Sequence, residues 1–215
     1  MKVTLLCSDL NHPVYQYLSA WKNANKDNYS ISIVSKVSEI NEPGDILFLI
    51  SCSEIVKVQI RDMFSHTLVL HASDLPQGRG WSPHTWDVLS GKDELTLSLI
   101  NAEDSVDTGD IWKKKHIKLK GSELYYEINT LLFEAEIELI SWACKNVFTV
   151  EPTPQEDGET SYYRKRTPND SEVDVNKSIK EQFNLLRVCD PNRYPAFFEL
   201  NGQKYKLFIE KYDEN

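Results

Sequence analysis

TLVLHASDLPQGRGWSP, residues 67–83, changes character halfway. Thr67–Leu70 is apolar, and His71 stands where that run ends. Pro76, Gly78, Arg79 and Gly80 then crowd a loop, and Pro83–Leu89 has the look of a short helix. A brief apolar run closed by Gly and Pro reads as a strand buried on both faces. An open α/β sheet keeps its ligands outside the carboxyl ends of its strands, so His71 is placed where chemistry would be kept. A histidine there also serves as a capped or solvent-facing group. Gly78 and Gly80 permit close backbone approach, and Arg79 offers a planar fork for a phosphate.

Working outward, strand-like and helix-like segments alternate. Val3–Cys7 is a first strand, and His12 to about Lys26 has helical spacing with Val14, Tyr17, Leu18 and Trp21 on one face. Ser30–Ser35 alternates like a strand, DILFLI (45–50) is a buried one, and Glu54–Phe64 is a candidate helix. Leu95–Ile100 and Ile111–Leu119 are further strands, and a long helix runs from a Ser122 cap to about Val147. Such alternation predicts an α/β fold with a Rossmann-like parallel sheet. Residues 151–170 read as a connecting loop, Asn176–Val188 as a helix, and Phe197–Ile209 as a hairpin turning at Asn201-Gly202. The expected organisation is a catalytic α/β domain over 1–150 and a small α+β C-terminal subdomain over 151–215.

Composition narrows the function. A net charge of −9 argues against nucleic acid as the main partner, because phosphate binding needs clustered Lys and Arg. No run approaches 18 apolar residues, so no membrane span is expected. Cys7, Cys52, Cys144 and Cys189 lie far apart without a CxxC, which predicts free thiols in a reducing cytoplasm and no metal site. The sequence shows no GxGxxG or Walker A fingerprint for a dinucleotide or ATP.

A second cluster is DSVDTGD, residues 104–110. It is either a solvated acidic turn or, at Asp107, a carboxylate that holds a histidine in one tautomer. HASDLPQGRGWSP (71–83) together with VDTGDIW (106–112) resembles the family of formyltransferases that use formyltetrahydrofolate. The family signature is Asn-x-His, a Ser-Leu-Leu-Pro-like loop with Arg-Gly, and then Asp-[Ala/Thr/Ser]-Gly. The tail, YYRKRTPNDSEVDVNKS (162–178) with LLRVCDPNRYPAFFELNG (185–202), resembles the branch that modifies nucleotide-linked sugars, the pseudaminic acid pathway type among them. Two departures stand out. Val69 occupies the position of the family's asparagine, and the amino-terminal half is short, with His71 arriving about four strands in.

The resemblance implies transfer of a formyl group from N10-formyltetrahydrofolate to the amine of a UDP- or TDP-linked 4-amino-4,6-dideoxy sugar. His71 and Asp107 would be the acid–base pair. Ser53 and the loop residues Asn101, Ala102, Asp104, Val106 and Thr108 would meet the folate. Arg79, Trp81, Arg187, Tyr194 and Phe197 would meet the nucleotide sugar, with Asn184 beside them. Valine cannot donate a hydrogen bond, so an active enzyme needs another oxyanion donor, with Asn11 first and Ser51 or Ser53 next. The alternative reading of Val69 is a catalytically silent homologue that binds folate or a nucleotide sugar. A cytoplasmic protein working on small molecules is expected, and a homodimer is compatible with the sequence.

Overall fold

The computed structural model describes residues 1–156 and 158–212. β1 (Lys2–Leu6), β2 (Ser30–Val34) and β3 (Gly44–Leu49) run parallel, with α1 (Val14–Asn25) carrying the first crossover and burying Val14, Leu18 and Trp21. The helix expected over 54–64 shrinks to one turn, α2 (Val58–Arg61). Ile55, Val56 and Val58 are β-branched and lose χ1 freedom in a helix, and burial draws Val56 into the core as irregular chain. β4 (Phe64–His71) therefore begins earlier than expected, with Phe64 opposite Gly44, and runs parallel to β3.

β5 (Arg79–Gly80) and α3 (Pro83–Leu89) follow, then β6 (Glu94–Asn101) and β7 (Ile111–Lys118). The six-stranded sheet has the order β2-β1-β3-β4-β6-β7. Its first four strands are parallel, but β6 is antiparallel to β4 and to β7, so the sheet is mostly parallel rather than wholly so. The segment between β4 and β6 does not carry the chain back to the end of the sheet where β4 begins. The chain re-enters the sheet from the end where β4 stops, with His71 paired to Ser98 and Leu68 to Asn101.

α4 (Tyr125–Asn146) lies across one face, burying Ile128, Leu132, Phe133, Leu139 and Ile140 against α1 and the strands. It starts three residues after the expected Ser122 cap. The Glu123 carboxylate accepts from the N–H groups of Lys120 and Gly121, and Glu127 accepts from Leu124 N–H, so the chain turns before it coils. Phe48, Leu68 and Leu97 are fully buried, and truncating one of them to Ala should cost about 2–5 kcal/mol.

In the tail, β8 (Tyr162–Tyr163) pairs in parallel with β5. α5 (Ile179–Val188) starts at Ser178, whose hydroxyl accepts from Glu181 N–H, and packs on α3 and α4. β9 (Ala196–Leu200) and β10 (Gln203–Leu207) form the hairpin, with Asn201 and Gly202 both at positive φ as Asn-Gly turns require. Among the described residues no helix is long and apolar enough to cross a membrane, and the four cysteines are free.

Candidate active site

His71, the last residue of β4, is 7% exposed. Its Nδ1 lies 3.3 Å from Asp107 Oδ1, and its Nε2 lies 2.9 Å from the Gly78 carbonyl oxygen. Asp107 Oδ2 accepts from Gly80 N–H at 2.9 Å. One carboxylate thus spans the ring and the backbone of the following loop, fixing the imidazole against β5. Both ring partners are acceptors, and a neutral imidazole, with one N–H, donates to only one of them at a time. The loop geometry depends on glycine. At Gly80, φ is +97° and a Cβ would stand 2.4 Å from the Tyr163 carbonyl oxygen.

The aspartate reaches His71 by an unexpected route. β6 passes His71 at Ser98 and ends three residues later, so its end lies roughly 10 Å away along the strand. The loop 102–110 has to fold back over the sheet. Gly109 makes that possible, because a Cβ there would sit 2.0 Å from Asn101 O. Asp107 itself takes φ 59°, in the left-handed region. The carboxylate comes to the histidine by a returning loop, where adjacent parallel strand ends had been expected.

The residues expected around the folate lie on two loops flanking β4. Ser53 is exposed, with its N–H donated to Ser8 Oγ. Asn101 accepts from Trp112 Nε1 at 2.7 Å, and Ala102 donates its N–H to Thr67 O and packs beside Val69. Asp104 pairs with Arg61 at 2.7 Å, Val106 is exposed, and the Thr108 hydroxyl donates to Ser105 O. Arg61 also donates to Val56 O, so one guanidinium ties the 51–56 and 102–108 loops together. Val69 shares its face of β4 with His71 and packs among Leu6, Leu47 and Leu49. Asn11 is exposed, with its main-chain N–H on Asp9 Oδ1. Among the described residues its carboxamide makes no hydrogen bond.

The acceptor-side residues separate into two groups. Arg79 donates from Nη2 to Gln155 Oε1 at 2.8 Å, and Trp81 is exposed under the Lys165 ammonium, 4.7 Å from its ring centroid. Tyr194 and Phe197 sit in the tail, half-buried. Arg187 does not serve as expected. It is 2% exposed, donates to Asn184 and to Glu123 O, and lies 3.7 Å from the Glu123 carboxylate. Its Nε and Nη1 are engaged by Asn184 and Glu123 within the interior.

Arg193 is the tail arginine that reaches the mouth of the sheet. It is half-exposed and lies 3.5 Å from Asp9 on the first loop. Nearby His12 is held below its usual pKa by burial and by Arg193. Burial also pushes His84 down to about 4, against the pull of Asp87, and His12 and His71 lie close enough to repel its charge. Neither Arg193 nor Gln155 stood out in the sequence, since each acts through a contact far away in the chain. Among the described residues no cluster of metal-ligating side chains forms.

Residues 4–143 match the family described as formyl transferase, and the chain belongs to it. The methionyl-tRNA formyltransferase of Clostridium beijerinckii is 23% identical over 91% of the chain, which spans 61% of that relative. The chain spans between half and two thirds of the curated relatives of this kind. A solved methionyl-tRNA formyltransferase from Clostridium thermocellum superposes with a TM-score of 0.83 at 21% identity, covering 99% of this chain and 94% of that one. A sugar N-formyltransferase from a Shewanella species gives 0.74 at 13% identity, covering 100% and 99%. HypX from Aquifex aeolicus in complex with tetrahydrofolic acid gives 0.79 at 18%, covering 97% of this chain and 37% of that one. At these identities the structures establish the shared fold.

Proposed function

We propose that the chain moves a formyl group from N10-formyltetrahydrofolate to the amine of a nucleotide-linked amino sugar, as part of making surface polysaccharide or a nonulosonic acid. The observation that carries this reading is the His71–Asp107–Gly80 arrangement in a chain of the formyl transferase family. In the transfer the amine nitrogen bonds to the formyl carbon and the folate N10–carbon bond breaks. The amine loses a proton and N10 gains one. His71 Nε2 exchanges the Gly78 carbonyl for the reacting groups and carries that proton, while Asp107 holds the ring. The tetrahedral oxyanion needs a further donor, and Val69 supplies none.

The fit of a folate is supported by the two loops on either side of β4. They expose Ile55 and Val106 for a flat heterocycle and are braced by Arg61. For the acceptor, Arg193, Trp81 and Tyr194 offer a cation and aromatic faces. The curated relatives point toward methionyl-tRNA instead, but a net charge of −9 is a poor surface for a polyanion. Val69 favours one other reading, a silent homologue that binds folate or a nucleotide sugar. The test incubates the purified chain with N10-formyltetrahydrofolate and, separately, UDP- and TDP-4-amino sugars and methionyl-tRNA. Formylated sugar nucleotide is the expected product. Formylated tRNA alone would reassign the acceptor, and no product with any acceptor would leave the silent homologue.

A further inference from the structure

We propose that Gln155 is a positioning residue that holds Asp107 against His71, an inference that rests on the formyl-transfer reading of that pair. The loop carrying Asp107 has to return over the sheet and places a non-glycine residue at φ 59°. Such a backbone persists only where its surroundings over-determine it. Gln155 provides that constraint from a segment far away in sequence. Its Nε2 donates to the carbonyl oxygens of both Asp107 and Gly109 at 2.9 Å, and its Oε1 accepts from Arg79 Nη2 at 2.8 Å.

One carboxamide therefore joins the aspartate loop to the loop that follows the histidine. The amide orientation is consistent, because the reversed group would set an acceptor against two carbonyls and a donor against a guanidinium. The segment carrying it is anchored at both ends. Thr153 exchanges two main-chain hydrogen bonds with Ile111, and Ser161 accepts from the N–H groups of Gly78 and Arg79. Gln155 makes no hydrogen bond to the His71 ring or the Asp107 carboxylate, so it acts through the backbone.

The test uses two variants of the full chain. Gln155→Met keeps the shape and removes all three bonds. Gln155→Glu keeps an acceptor for Arg79 and loses the donor for the two carbonyls. Both should lower kcat about ten- to a hundred-fold, the scale of a small misplacement of a reacting group, with KM for the formyl donor near the parental value. In an Asp107→Asn background, Gln155→Met should cause little further loss, because the two act as one unit.

A second readout needs no substrate. The chain has five histidines, so imidazole 1H–15N spectra can be assigned to His71 by comparison with His71→Gln. Both Gln155 variants should shift or broaden the His71 ring signals and leave those of His116 unchanged. Parental His71 spectra with parental kcat in folded variants would overturn the proposal, as would loss of the fold in both. If the parent chain formylates nothing, the reading of the site fails, and the spectra still decide the role of Gln155.

Discussion

His71 and Asp107 were legible because residue type and flanking glycines carry the information. An imidazole at the end of an apolar run, an Arg-Gly loop and an Asp-Thr-Gly turn each limit what the backbone can do. Arg187 was not legible, because sequence alone did not show which way a residue near the end of α5 faces. Its neighbours Leu186 and Val188 are buried, and it is buried with them on Glu123. The structure supports a direct expectation at this scale. His71→Ala and Asp107→Asn should each lower kcat by at least about two decades with melting temperatures near the parent's, since a positioned acid–base group is typically worth that much. Near-parental turnover in either folded variant would remove that residue from the mechanism. Val69 yields a second expectation. The Asn11 carboxamide is exposed and unengaged at the end of β1, and Ser51 and Ser53 follow β3 beside β4. Asn11→Ala should lower turnover well beyond its effect on stability, and Val69→Asn should partly restore it. Full activity in Asn11→Ala, Ser51→Ala and Ser53→Ala alike would leave main-chain groups or water as the oxyanion donor.

At the scale of elements, hydrophobic period identified nearly every strand and helix but not the direction of β6. Burial makes the same demand on Leu95, Leu97 and Leu99 in either direction, so the apolar pattern of β6 carries no sign of the direction in which it runs. The one-turn α2 escaped for a related reason: helical spacing at 54–64 was outweighed by β-branched residues and by the pairing of Phe64 with Gly44. α4 carries a buried carboxyl group that its apolar stripe did not announce. Glu136 is 5% exposed, its Oε2 has no partner among the described residues, and burial pushes its pKa up to about 8. A raised carboxyl pKa means that the folded state holds a proton the unfolded chain has already lost. That contribution is fully present below about pH 4.5 and is lost as pH rises through about 8. His84 works oppositely. Its pKa is depressed to about 4, so its contribution is present above about pH 6.5 and is lost as pH falls toward 4. Glu136→Gln isolates the first effect. The variant should gain stability relative to the parent from about pH 5 to about pH 8.5, read by urea unfolding at each pH. A constant difference across that range would mean that Glu136 is not held protonated.

At the scale of the whole molecule, the tail is sewn into the site rather than hung beside it. β8 pairs with β5, Gln155 spans two loops of the main sheet, and Arg193 meets Asp9 on the first loop. Sequence reading placed a small α+β piece after residue 150 but had no means to see these long-range contacts. Their arrangement changes which arginine is expected to answer a nucleotide. A ligand that binds the folded state alone stabilises it by RT ln(1 + [L]/Kd), so melting temperature should climb with the logarithm of UDP or TDP concentration. Arg193 is half-exposed at the mouth, and its removal should flatten that climb while leaving the ligand-free melting temperature close to the parent's. Arg187→Ala should do the reverse. It removes a buried side chain that donates to Asn184 and to Glu123 O and the cation beside the Glu123 carboxylate, which keeps the N–H groups of Lys120 and Gly121. The ligand-free melting point should fall, yet the response to nucleotide should survive wherever the protein stays folded. Differential scanning calorimetry of the parent and both variants, with and without millimolar UDP or TDP, separates the two roles. A nucleotide response lost in Arg187→Ala and kept in Arg193→Ala would return the phosphate contact to α5. No response in the parent to either nucleotide would remove the nucleotide-sugar acceptor from the proposal, leaving the formyl-donor side of the site to be tested on its own.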